Sequence, residues 1–500
     1  MTDPDRVVVG VDIGTTATKV AAFDQSGAAH GLTRVPNRLH SAPDGRAEQD
    51  PEELISSTLG ALARTCATCR EQHLEVAAVS LGCAMHGIVG VDRGGAPLTP
   101  LVTWADRRAE AEARRLRDDP IAESLYRRTG TPLHPSSPLA KLMWFRDREP
   151  ALFGRVEAWL SLKEVLLVRL FGRRVVDVAL ASATGLLDVV RKGWDPDALE
   201  LAGVAPRQLS EPVPMTHVVE GLAGSDARRL ALARDTPFIV GGSDGALSSI
   251  GLGATSPGIA AASVGTSAAV RTCARRPGGD RDGVTFCYAL GEELWLRGAA
   301  SNSGGAALSW LQSLLRGSTA GLEDLLSSAA EVPAGADGLL FLPYLHGERA
   351  PRPDPAARAV LFGLQAHHGA PHIARAVLEG VALQVATVVA LVDEAAGPVS
   401  ELRVGGGLTR APLWRRILTD CIGRSVAFSG DPEASLRGAA LVALEALGEG
   451  DGTAGNARPP LERSEPTEES VAYGALLSRF KDLLRRVEPL FAAAEEGTGG

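Results

Sequence analysis

Residues 7–24 alternate apolar and small side chains around Gly14-Thr15-Thr16, a pattern that predicts two strands joined by a glycine turn. Half a chain later, residues 258–272 repeat it around Gly265-Thr266-Ser267. One such turn carries little information, but two bracketed by strand-like runs at the start of each half predict a duplicated domain facing itself across a cleft. Helical periodicity covers residues 51–71, 105–117, 139–148 and 372–395, while residues 76–81, 237–240 and 401–404 read as strands. Helices mixed with strands in both halves make the fold class α/β. The Gly/Pro-rich residues 448–466 read as a surface loop before a last helix ending near Ala494, and residues 496–500 as a disordered tail.

Length supports this division, since 500 residues exceed one ordinary core. The expected domains are residues 1–253 and 254–495. A formal charge of −9 argues against a nucleic-acid or anionic-membrane surface and requires any anionic ligand to find local basic groups. No apolar stretch reads as reaching the ~18 residues that span a bilayer, and no leader pattern opens the chain, so a cytoplasmic location is expected. The six cysteines are too sparse for a disulfide framework, and Cys66 and Cys69 lack a second ligand pair, so both read as structural.

No Gly-x-x-x-x-Gly-Lys-Ser/Thr loop is present to hold phosphate. The two glycine turns suit that task, because glycine lets backbone N–H groups approach phosphate oxygens while Thr15, Thr16, Thr266 and Ser267 add hydroxyls and Lys19 a charge. Asp12, at the end of the first strand, has two readings: a carboxylate for phosphate-bound Mg²⁺, or a turn-forming Asp bonded to its own backbone. Asp244 follows a strand that runs into glycines, and it reads as a general base beside a cleft or as a cap of the next helix. Gly405, Gly406 and Gly407 open another helix, where they could pack flat against an adenine or ribose.

Two longer motifs add to this. Ser136-x-Pro138-x-x-Lys141-Leu-x-Trp144-Phe-x-Asp147 departs from a known signature only at Arg148, and Ala359-x-Leu361-x-Gly363-Leu364 followed by His372-Ile-x-x-Ala376-Val-Leu-Glu379 meets a second in full. On these residues the chain resembles, over nearly its whole length, the FGGY carbohydrate kinases, a branch of the actin-like ATPases. The resemblance implies two actin-like (ribonuclease H-like) domains closing on ATP and Mg²⁺, with Asp244 as catalytic base and Asp12 on the metal side. It also implies that Gly265, Thr266, Gly305, Gly406 and Gly407 lie at the nucleotide.

Met85-His86 resembles the substrate motif of the xylulose and gluconate kinases, and residues 97–107, 129–141 and 177–185 are similar to gluconate kinases in particular. That similarity implies a small sugar-acid substrate, with D-gluconate phosphorylated at its terminal hydroxyl to 6-phospho-D-gluconate. An FGGY kinase for another sugar such as D-xylulose is the alternative, and a non-catalytic nucleotide-dependent regulator a further one. A homodimer is allowed. Expected substrate contacts are Met85, His86, Trp104, Asp106, Ser136 and Asp244, with Arg107 and Lys141 as candidates for the cation that a carboxylate needs. Glu348-Arg349 matches the family and reads mainly as a buried ion pair or loop anchor.

Overall fold

A computed structural model describes residues 5–314, 322–450 and 460–496. The first glycine turn joins antiparallel strands Arg6–Ile13 and Ala17–Asp24, and Ala29–Pro36 extends the meander. On the other side of the first strand, Glu75–Cys83 pairs in parallel, and Phe238–Ser243 pairs in parallel with that. The second turn repeats the plan: Ile259–Val264 and Ala268–Ala274 form the hairpin, Trp295–Ser301 adds the antiparallel neighbour, and Glu401–Gly405 and Val426–Ser429 add the parallel ones. The duplicated topology expected from the two turns is therefore present. Each half carries its own sheet, of six and seven strands.

In each half a helix follows the last parallel strand, Asp244–Gly251 in the first and Ala434–Ala446 in the second. The two helices cross backbone to backbone. A Cβ on Gly251 would lie 1.8 Å from the Ala434 carbonyl oxygen, and one on Gly438 would lie 1.9 Å from that of Leu247. No side chain larger than hydrogen fits there. Around the crossing, Leu247, Ile250, Leu436 and Ala439 are buried in one apolar cluster that joins the halves at the floor of the cleft.

Local chemistry explains which sequence boundaries hold. Helix Pro51–Glu71 starts where expected because Asp50 accepts from the Glu52 and Glu53 N–H groups and Pro51 sits in the first turn. Helix Pro138–Arg148 is likewise capped by Ser137. The helix expected from residue 105 begins only at Glu110, because Asp106 bends the chain to accept from the Ala47 and Arg108 N–H groups.

Leu461–Ser464, expected as loop, is an edge strand of the second sheet; the middle of that loop, residues 451–459, and tail residues 497–500 lie outside the described residues. Helix Ala370–Ala396 corrects the reading that no apolar stretch is long enough to span a bilayer. Most of its apolar stretch is buried inside the second half, and Gly380 lets it lie against the Phe341 carbonyl, 2.3 Å from where a Cβ would stand. Cys66 and Cys69 are both buried, and burial raises both thiols, Cys66 to about 12.

Candidate active site

A cavity of about 570 Å³ opens between the halves, lined by both glycine turns and by Asp12, Asp244, His86 and Trp104. The first turn is held by Asn37, whose Nδ2 donates to the Gly14 carbonyl at 2.7 Å, and by Gln49, which donates to the Thr15 carbonyl at 2.9 Å. The indole of Trp104 donates to Thr15 Oγ1 at 3.0 Å, so the hydroxyl proton of Thr15 is left for a ligand.

Asp12 is the last residue but one of the first strand. Its Oδ2 accepts from Ser435 Oγ at 2.7 Å, while Oδ1 is buried with no hydrogen-bond partner. Burial raises its pKa, opposed by Ser435 and Lys19. Lys19 lines the cavity but is not a free charge, because Glu433 pairs with it from the second half. The start of helix Ala434–Ala446 thus reaches across the cleft to both charged residues of the first turn.

Asp244 opens helix Asp244–Gly251 after the N-cap Ser243. Its Oδ1 accepts from the Gly245 N–H at 2.8 Å. Burial, then the nearby Asp12 charge, raise its pKa to about 6 against the opposing pull of Arg271. The strand before it is fixed from below by Lys163, fully buried with Asp177 and donating also to the Gly242 carbonyl at 3.3 Å.

His86 has φ of +65°, a left-handed backbone that a non-glycine residue adopts only when its surroundings enforce it. They do: its Nδ1 lies 2.7 Å from the Ala183 carbonyl and therefore carries the proton, leaving the Nε2 lone pair as an acceptor. Burial first, then Lys141, lower its pKa to about 3, so the ring is neutral near pH 7. His134 has the opposite tautomer, because its Nδ1 accepts from the Ser136 N–H at 3.1 Å and the proton sits on Nε2. Residues 177–185 and 129–141 thereby act as supports that aim His86 and His134.

Met85 and Ser136 also line the cavity, whereas Asp106, Arg107 and Lys141 do not. Asp106 is spent on Arg108 and the Ala47 N–H, and Arg107 is exposed. The Lys141 ammonium is buried and donates to the carbonyls of His86, Val102 and Thr103, so it ties together the loops that carry His86 and Trp104; burial lowers its pKa to about 7. Gly305 and Gly406 pack behind the second turn, Gly305 donating to the carbonyl of the turn's own Gly265 at 2.7 Å and Gly406 standing against the Val264 carbonyl; Gly265 and Gly407 both face open space. Glu348 and Arg349 are not an ion pair: Glu348 is buried among Ser301, Ser303 and Gln384, and Arg349 turns into the cavity with its guanidinium 5.4 Å over the Trp104 ring.

Residues 7–251 match the N-terminal domain of the FGGY family of carbohydrate kinases, and residues 260–447 match its C-terminal domain. The chain belongs to this family. It is 36% identical over 496 residues to the gluconokinase of Bacillus subtilis (strain 168), covering 96% of each chain, and 27% identical over 440 residues to the xylulose kinase of the same organism, covering 88% of each. A solved xylulose kinase from Lactobacillus acidophilus superposes with a TM-score of 0.92 at 28% identity, over 98% of this chain and 99% of that one. A gluconate kinase from the same organism gives 0.91 at 28% identity, over 96% and 98%. Membership makes the chain a carbohydrate kinase with the two-domain actin-like fold, acting on a small sugar substrate with ATP as phosphoryl donor.

Met85, His86, Trp104 and Ser136 were legible within motifs, but Arg117, Tyr126 and His134, which also line the cavity, were not read as site residues. Nor were Arg271 and Arg349, which line it from the second half, or Glu433 and Ser435, which bond to Lys19 and Asp12, since all four come from distant parts of the chain. Arg271 carried one signal, a lone charge in an otherwise small and apolar strand, Ala268–Ala274.

Proposed function

We propose that the chain phosphorylates D-gluconate at its terminal hydroxyl, giving 6-phospho-D-gluconate and ADP. The observation that carries the mechanism is Asp244, a half-buried carboxylate that lines the cavity together with the two glycine turns and has a pKa raised to about 6. Near pH 7 it is ionised, yet basic enough to take the hydroxyl proton as the bond to phosphorus forms. Thr15, Thr16, Thr266 and Ser267 supply donors for phosphate oxygens, and Lys19 supplies positive charge once phosphate competes with Glu433. His86 accepts from one sugar hydroxyl through Nε2, His134 donates to another, and Trp104 covers the carbon chain.

The unpartnered Asp12 Oδ1 fits a divalent cation held by one protein carboxylate and the nucleotide phosphates; no cluster of three or more His, Cys, Asp or Glu ligands occurs among the described residues. Mg²⁺ bound there would neutralise charge on the phosphates. Closure about the glycine crossing would exclude water, the competing acceptor.

For substrate choice, support comes from the 36% identity to a gluconokinase over nearly both whole chains, against 27% to a xylulose kinase. A panel of D-gluconate, D-xylulose and glycerol, read by ADP release, tests it. The highest kcat/KM is expected with D-gluconate, and preference for a neutral sugar would overturn the assignment.

A further inference from the structure

Arg271 stands on strand Ala268–Ala274, just past the second glycine turn, and lines the cavity although only 8% of its surface is exposed. Its Nη1 reaches Ser263 Oγ at 3.3 Å, and its buried Nε has no hydrogen-bond partner. Among the described residues no carboxylate lies within ion-pair distance of it. Asp244 acts on it through space, and a Cβ on Gly245 would come within 2.9 Å of its Nε, so the guanidinium lies against the start of the base's own helix.

An isolated buried guanidinium is costly, and its planar fork is shaped to receive two oxygens of one anion. Arg349, the other arginine deep in the cavity, likewise has a buried Nε without a partner, but its charge is engaged by an aromatic face and a neighbouring carboxylate. It lies over Trp104, next to Glu348, and donates to the Ser301 carbonyl at 3.3 Å. Phosphate, for its part, has the hydroxyls of the two turns and Lys19.

We propose that Arg271 grips the acid end of the substrate, so that the second half of the chain selects a sugar acid over a neutral sugar. This rests on the gluconate reading above. It also orients the ligand, with the carboxylate on the second-half strand and the far hydroxyl at Asp244.

The test compares D-gluconate with D-glucitol, which carries a hydroxymethyl group in place of the carboxylate, in the wild type, Arg271→Met and Arg271→Lys. Rates are taken at pH 8, with the KM for ATP alongside. In Arg271→Met, kcat/KM for gluconate should fall about a hundredfold, as expected for a buried charge pair losing one partner, while the glucitol value changes by less than about threefold. Arg271→Lys should recover part of the loss. Thermal unfolding confirms that the variants fold.

Equal losses on both substrates would overturn the proposal, as would a loss confined to the KM for ATP, which would make the anion a phosphate. If Arg271 served only to tune Asp244, its removal would move the acid limb of the pH–rate profile upward for both substrates and leave their ratio intact. A wild type that prefers neutral sugars fails before any variant is made; that result rejects the gluconate reading and Arg271's role with it. A wild type that prefers gluconate with an unchanged ratio in Arg271→Met rejects the Arg271 assignment alone.

Discussion

Replacing Asp244 by Asn should slow turnover steeply and stabilise the empty protein, and the size of the second effect follows from the site. The folded protein holds this carboxyl at a pKa of about 6, against 3.8 for the unperturbed group. The protonated form is therefore favoured by folding. Its contribution is fully present below pH 3.8 and is lost as pH rises through about 6. The gap of a little over two units corresponds to about 3 kcal/mol of lost stability at pH 8, shrinking to under about 1 kcal/mol at pH 4.

Asn removes the charge and keeps an oxygen for the Gly245 N–H. The unfolding midpoint of the variant should then exceed that of wild type by several degrees at pH 8, at about 2–4 °C per kcal/mol for a domain of this size, and should converge with it near pH 4. Turnover should drop by about 10²–10⁴-fold, the usual worth of a general base. Paired thermal scans at the two pH values and an ADP-release assay decide it. An Asn variant no more stable than wild type at pH 8 would mean that the carboxylate is not held ionised at a cost, and retained turnover would mean that it is not the base.

Other consequences are as direct. In wild type, kcat/KM should fall as pH drops through about 6, when Asp244 takes a proton, with no inflection from His86, whose pKa of about 3 lies far below. Ser435→Ala should free Asp12 Oδ2, raising the Mg²⁺ concentration for half-maximal activity and weakening Mn²⁺ binding measured by spin resonance, with little change in the KM for sugar. Lys141→Met should leave the His86 carbonyl without its donor, at about 1–3 kcal/mol, while the Val102 and Thr103 carbonyls keep the Ile88 and Asp106 N–H groups. The loosened His86 loop should then appear as a raised sugar KM and a lower unfolding midpoint, and an unchanged KM would refute its role as a support. Gly438→Ala should force the crossing helices apart, with loss of activity and an altered scattering profile, because its Cβ would stand 1.9 Å from the Leu247 carbonyl oxygen.

Much of the first half of the site could be read directly because its residues sit within short, self-contained segments. A strand, a glycine turn and a following strand form by local rules, so Asp12, Thr15 and Lys19 were placed by pattern alone, as Asp244 was by the strand and glycines before it. The runs around Met85-His86 and residues 129–141 were recognisable as belonging to the site, but not the roles within them. Lys141 and Asp106 carry the residue types that a sugar acid and its hydroxyls would use, yet the fold spends them on backbone carbonyls and on Arg108. Periodicity cannot say which polar group of a loop has a partner waiting.

By itself the sequence determined the two-fold repeat of strand–turn–strand, the α/β class and the family, and it singled out Asp244 as the candidate base, because each depends on neighbours along the chain. Only the tertiary structure decided how the halves complete one another. Glu433 and Ser435 meet Lys19 and Asp12 over more than 400 positions, and Arg271 is carried to the base's helix by a strand of the other domain. Those contacts arise from two glycine-marked helices crossing at the cleft floor, and packing between distant segments leaves no local signature.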